Sequence, residues 1–171
     1  MRALLAALLL VAATPGPIAA QAARGPIAAQ APNNPSPEQP IVSAQPTLPT
    51  IPLRLITAKR SYRLRVEVAA TPRQQQIGMM FRDRLPRGKG MLFPFASPRR
   101  LSFWMENTVI PLDLVFVGAG GRIVNVAANA RPYSREQIPS DGPAIAVLEI
   151  AGGEAARLGL RPGDRVEYTL P

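Results

Sequence analysis

Proline placement limits this chain before anything else does. Pro26, Pro32, Pro35, Pro37, Pro40, Pro46, Pro49 and Pro52 all fall within residues 23–52, with little charge between them. Proline lacks the N–H that a helix or ladder needs, and its fixed φ favours extended, unpaired backbone. Such a segment cannot build a core and reads as a disordered Pro/Ala-rich linker. The run Gly16–Gln21 recurs as Gly25–Gln30. Two copies are too few for a solenoid, so this is a local duplication. The folded unit is expected over residues 53–171, as one domain.

Residues 1–22 carry the pattern of a secretory signal peptide. Met1-Arg2 is a short positive start, Ala3 to Ala13 is wholly apolar, and Thr14-Pro15-Gly16-Pro17 breaks any helix. Ala20-Gln21-Ala22 then satisfies the small-x-small cleavage rule. The apolar run is too short for a bilayer, which needs about 20 residues. With no cysteine there is no lipoprotein anchor and no disulfide, so the core alone must stabilise the domain. These features predict an exported protein, periplasmic or secreted, with no transmembrane span after signal cleavage. A monomer is expected.

Beyond residue 53 short apolar segments alternate with turn residues. Leu53–Thr57 is strand-like, and Tyr62, Leu64, Val66 and Val68 alternate with polar partners as a half-buried strand does. Thr71-Pro72-Arg73-Gln74 starts a helix with a capping box and a first-turn proline, predicted to run to Met80 or Phe81. Gly78 inside it costs roughly 1 kcal/mol against alanine, which points to a close backbone approach or a frayed end. Further strands are predicted at 90–95, 100–105, 112–117, 123–127, 144–150 and 165–170. Residues 129–143 read as a polar loop. A second helix is predicted over Glu154–Leu158, ended by Gly159. The fold class is mainly β: a compact barrel or sandwich of seven to eight short strands with two short helices.

The absence of His and Cys removes whole chemistries. No Ser-His-Asp or Cys-His relay, Cys/His zinc site or iron–sulfur cluster can be built. Net charge is +9, but the basic residues are scattered and the single tryptophan sits in an apolar run. A stacking platform would set it among cations, so nucleic acid is not the expected partner.

The order Gly78-Met79-Met80-Phe81-Arg82, Gly90-Met91-Leu92-Phe93, Phe103 to Thr108, Ile110 to Asp113, Val147-Leu148-Glu149 and Ala151-Gly152-Gly153 resembles the domain-of-unknown-function 192 family (DUF192). The resemblance covers about residues 60–170. It implies a compact, mostly-β domain, often exported, with no established reaction. Members usually carry Lys or Arg where this chain has Glu106, so the resemblance supplies no cation there.

On an extended chain Trp104 and Glu106 share one face and can flank a pocket, while Pro111 bends the chain toward Asp113. Arg82, Trp104, Glu106, Asn107, Thr108 and Asp113 are the candidate ligand-binding residues. The plain alternative is that Asn107, Thr108 and Asp113 bond loop amides, with Asp113 tying down the 106–111 turn or pairing with Arg82. A Glu106–Asp113 acid–base pair, or a calcium site from Asp113, Glu106 and Glu149, are further readings. Met79, Met80, Met91 and Met105 suit either an adaptable groove or core filling. Glu149, opposite Leu148 in alternation, is expected on the solvent face or at a strand edge, or, if buried, beside an arginine. The expected role is binding of a small ligand or an envelope component around residues 104–113. The alternatives are a carboxylate-based hydrolase acting on envelope saccharides and an accessory domain without a pocket. No catalytic residue, metal ligand or cofactor is assigned.

Overall fold

The computed structural model describes residues 40–171. The expected signal segment and residues 23–39 of the expected linker lie outside the described residues. Strand β1 (Thr50–Ile56) turns Ile51, Leu53 and Leu55 inward, and β2 (Ser61–Val68) does the same with Leu64, Val66 and Val68. The two pair antiparallel from Thr50–Glu67 to Ile56–Ser61. Order begins ahead of residue 53. Leu48 is buried and its N–H donates to Glu67 Oε2 at 2.7 Å, while Gln45 Nε2 donates to the Gln74 and Gly78 carbonyls.

Strands β2 and β3 (Lys89–Arg99) are parallel, so the chain must cross over between them. The crossover holds helix α1 (Pro72–Ile77), which carries the expected capping box: Gln74 N–H donates to Thr71 Oγ1 and Gln74 Oε1 accepts from Thr71 N–H. The helix stops at Ile77 rather than at Met80 or Phe81. Gly78 leaves it at φ +49°, and a Cβ there would sit 3.2 Å from the Phe93 ring. Met79 and Met80 follow as a buried turn.

The next elements are β4 (Ser102–Phe103), β5 (Leu112–Val117), β6 (Ile123–Ala130), β7 (Ile138–Pro139), β8 (Ala144–Ala151), α2 (Glu154–Leu158) and β9 (Arg165–Tyr168). β4 is shorter than the predicted 100–105 strand. β7 lies within the expected polar loop and pairs with β4. The seven-stranded sheet has the order β6-β5-β8-β3-β2-β1-β9, beside the two-stranded β4-β7 ribbon. The architecture is mainly β with two short helices, sandwich-like rather than a closed barrel. The edges of β6 and β9 meet at their ends, through an Arg122–Arg165 bridge flanked by two 2.8 Å bonds, Ile123 N–H to the Asp164 carbonyl and Gly163 N–H to the Ile123 carbonyl.

Both faces of the central strands are covered. Along β5, Leu112, Leu114 and Phe116 enter one apolar layer with Met91, Phe93, Met105 and Val147. Val115 and Val117 enter the other with Leu53, Val66, Leu92, Leu148 and Leu158. This two-sided burial explains the near-continuous apolar runs of β5 and β8.

Candidate functional site

Strand β8 lies between β3 and β5, so alternation sends each of its side chains into one apolar layer or the other. Glu149 therefore has no solvent face to occupy. It pairs across the sheet with Met91 of β3 and Leu114 of β5, on the face of Val147, and is 5% exposed. This corrects the expectation of a solvent-facing or edge position, and no arginine accompanies it. Its Oε2 has no hydrogen-bond partner among the described residues. Burial pushes the carboxyl up to about 8, because the charged form loses its hydration. Gly90 permits the close strand packing beside it: a Cβ there would lie 2.6 Å from the Glu149 carbonyl.

Glu149 stands in a cleft of about 330 Å³. The turn after α1 forms one wall with Gly78, Met79 and Met80, and β3 contributes Phe93 and Phe95. Phe103 and Trp104 form the opposite wall. Phe103 is fixed edge-on between Phe93 and Phe116, with ring centroids 5.2 and 6.2 Å away. Trp104 is 46% exposed, as an open wall of a cleft would be and a core residue would not. Polar groups are few: Gln75, Gln76, Ser102, Glu106, Thr108 and Gln137. Apolar walls with a few placed polar groups are the usual make-up of a small-molecule site.

Three of the six sequence candidates line this cleft: Trp104, Glu106 and Thr108. Trp104 and Glu106 both line the cleft, but not as one face of a strand: β4 ends at Phe103, and Glu106 lies in the turn that follows. Glu106 Oε1 meets Arg135 at 2.6 Å. Thr108 is buried, and its carbonyl accepts from Tyr133 N–H at 3.1 Å. Asn107 makes the turn instead, at φ +54°, with its carbonyl accepting from Phe81 N–H at 2.8 Å and its amide donating to Met80 sulfur at 3.7 Å.

Arg82 and Asp113 lie outside the cleft lining. Arg82 binds Glu67 through two parallel bonds of 2.7 and 2.8 Å, not Asp113, and so ties the turn after α1 to β2. Asp113 pairs with Ile150 on the sheet face opposite Glu149 and is fully buried. Its Oδ1 accepts from Asn129 N–H (2.7 Å) and Gly153 N–H (3.0 Å), and its Oδ2 from Ala155 N–H (2.7 Å). The residue capping the start of helix α2 is Gly153, which has no side chain to cap it, and Asp113 supplies the acceptor from β5. It thus holds the 153–155 turn and β6 rather than the 106–111 turn. Neither the Glu106–Asp113 acid–base pair nor the three-carboxylate calcium site is assembled, since Asp113 points into the opposite layer.

Sequence reasoning missed Glu149 as a cleft residue, together with Phe93, Phe95 and Phe103, while Met79 and Met80 form the groove wall that was one of its two readings of the methionines. One signal was available: a lone carboxylate inside the apolar run Ala144–Ala151, where two-sided burial leaves no exposed face.

The DUF192 family model, described as "Uncharacterized ACR", matches residues 54–168. A crystal structure from Sinorhizobium meliloti 1021, described as a "putative transcription regulator", is 40% identical with a TM-score of 0.70, covering 73% of this chain and 98% of that one. A protein of unknown function from Novosphingobium aromaticivorans DSM 12444 is 46% identical with a TM-score of 0.69, covering 73% of this chain and 91% of that one. No curated protein matches the chain.

Proposed function

The chain belongs to the DUF192 family, and we propose that its folded unit is a binding domain for a small ligand held in the Glu149 cleft. One observation carries this reading. A 5%-exposed carboxyl with an unpartnered oxygen stands among aromatic and methionine side chains. Leaving such a group unsatisfied costs about 1–3 kcal/mol or more, which a structural role alone would select against. A ligand that completes its hydrogen bonding offsets that cost only in the bound state. The open Trp104 wall and the sparse polar rim support the same reading. They disfavour an accessory domain without a pocket.

The signal-peptide pattern of residues 1–22 supports an exported setting for this binding, periplasmic or secreted. Cleavage after Ala22 would leave a mature chain beginning at Ala23, which intact-mass measurement on the exported protein reads directly.

Trp104 is the sole tryptophan, so its emission reports on the cleft alone. A small-molecule library is screened against the full chain by Trp104 emission and thermal shift. Hits should move both, and should weaken at least tenfold in Gln137→Phe, which fills the exposed mouth. A screen without hits, or hits indifferent to Gln137→Phe, would refute the reading.

A further inference from the structure

The charge of the cleft is inverted relative to that of the chain. The protein carries 20 Lys+Arg against 11 Asp+Glu, yet no Lys or Arg lines the cleft, and its two ionisable groups are both carboxyls. An anionic ligand seated at the floor would meet Glu149 with no Lys or Arg in the lining to receive it. The rim already holds cationic groups of the chain itself. Arg135 pairs with Glu106 at 2.6 Å, and the Arg99 guanidinium lies 4.7 Å over the Phe95 ring. Deeper in, the same two elements recur without their cation. Glu149 has an oxygen lacking a donor among the described residues, and Phe103 and the half-exposed Trp104 line the same cleft. Aromatic faces attract cations through their quadrupole, more strongly where water is excluded.

We propose that the cleft takes a small organic cation, an ammonium or guanidinium group on an apolar body, whose N–H groups donate to the Glu149 carboxylate. This rests on the binding reading above and narrows it to a ligand class. A neutral alcohol could satisfy one oxygen, but it would draw nothing from the ionised form of the carboxyl or from the aromatic rings beside it. Binding carries a proton balance. Glu149 holds its proton in the empty cleft at neutral pH. The entering cation takes the ionised carboxylate as its partner, and the displaced proton passes to the buffer. Glu106, itself paired with Arg135, is the other charged group facing this space. The strands flanking Glu149 present Met91 and Leu114, and the α1 turn presents Gln75, Met79 and Met80.

Benzylammonium and benzyl alcohol, matched in body and differing in charge, are the probes, with the full chain in the cell. Trp104 emission reports binding, and calorimetry in two buffers of different ionisation enthalpy counts protons. Benzylammonium should bind with release of close to one proton at pH 7. Its affinity should rise roughly 50-fold between pH 6 and pH 8, following the ionised fraction of a group titrating near 8. Glu149→Gln should weaken benzylammonium at pH 8 at least tenfold and should remove its pH dependence and proton release, with a thermal scan confirming the fold. Equal binding of the two probes without proton release overturns the cation inference and leaves the binding reading standing. Failure of either probe to move Trp104 emission at millimolar concentration, alongside a library screen without hits, overturns both.

Discussion

Glu149→Gln keeps the side-chain shape and removes its ionisation. In the unfolded chain this carboxyl titrates near 4.5, and in the folded domain near 8. Between those values the folded state holds a proton that the unfolded state has released, so stability falls as pH rises. The proton-linked stability is fully present below pH 4.5, is lost across 4.5 to 8, and is level above that. At about 1.4 kcal/mol per pKa unit the whole loss is about 5 kcal/mol, of which roughly 3 kcal/mol is gone by pH 7. The Gln variant has no such slope. Its own unpartnered amide adds a pH-independent cost, so the informative quantity is the change in the difference between the two proteins. Urea unfolding of both, at intervals from pH 4.5 to 8.5, measures it while the other titrating groups cancel. The variant should gain on the wild type by several kcal/mol over that range, most steeply from pH 5 to 7.5. A difference constant to within about 1 kcal/mol would show that Glu149 is hydrated, and the floor of the cleft would then be misassigned.

Asp113→Ala strands three amide donors, the Ala155 one buried and the Asn129 and Gly153 ones part-buried; at about 1–3 kcal/mol for the buried donor and about 1 kcal/mol for each of the others this predicts a loss of about 3–5 kcal/mol by chemical denaturation, with Asp113→Asn intermediate. Arg82→Ala leaves the largely buried Glu67 without its guanidinium and should cost about 3 kcal/mol. Arg82→Lys should restore less than half of it, because a single ammonium cannot reproduce two parallel bonds. Gly90→Ala forces a methyl against the Glu149 carbonyl and should lower stability by about 1–3 kcal/mol, with broadened β3 and β8 amide resonances in NMR spectra.

What could be read from the sequence was what local pattern decides. Strand β5 and helix α2 lie at the predicted residues, because Leu112–Val117 is bounded by Pro111 and Gly118, and Gly159 stops α2 at φ +70°. The capping box placed the start of α1 correctly. Its end was overestimated because Met79 and Met80 continue an apolar pattern that is satisfied by tertiary burial in a turn. Trp104 and Glu106 come together at the cleft through the turn after β4 rather than through strand alternation, since Phe103 and Trp104, adjacent in sequence, both line it. Glu149 and Asp113 depended on strand order. Alternation says that neighbours point opposite ways, but only the position of β8 and β5 inside the sheet says that both ways are covered. Asp113 likewise spends its oxygens on amides 16 to 42 residues away, which no spacing rule along the chain foretells.

The pairing of β1 with β9 sets a timetable for folding. Among the described residues β1 is the first strand and β9 the last, and their register runs from Leu53–Tyr168 to Ile56–Arg165. A ribosome releasing this chain delivers every other strand before the one that covers the outer edge of β1. Until then β1 presents unpaired N–H and C=O groups, a template for association with a second chain. Contacts so distant in sequence also form slowly, since the loop must close before any pairing rewards it. A nascent chain of this design therefore stays incompletely folded until β9 emerges, and deleting residues 165–171 should yield a species that associates through β1 rather than a smaller stable domain.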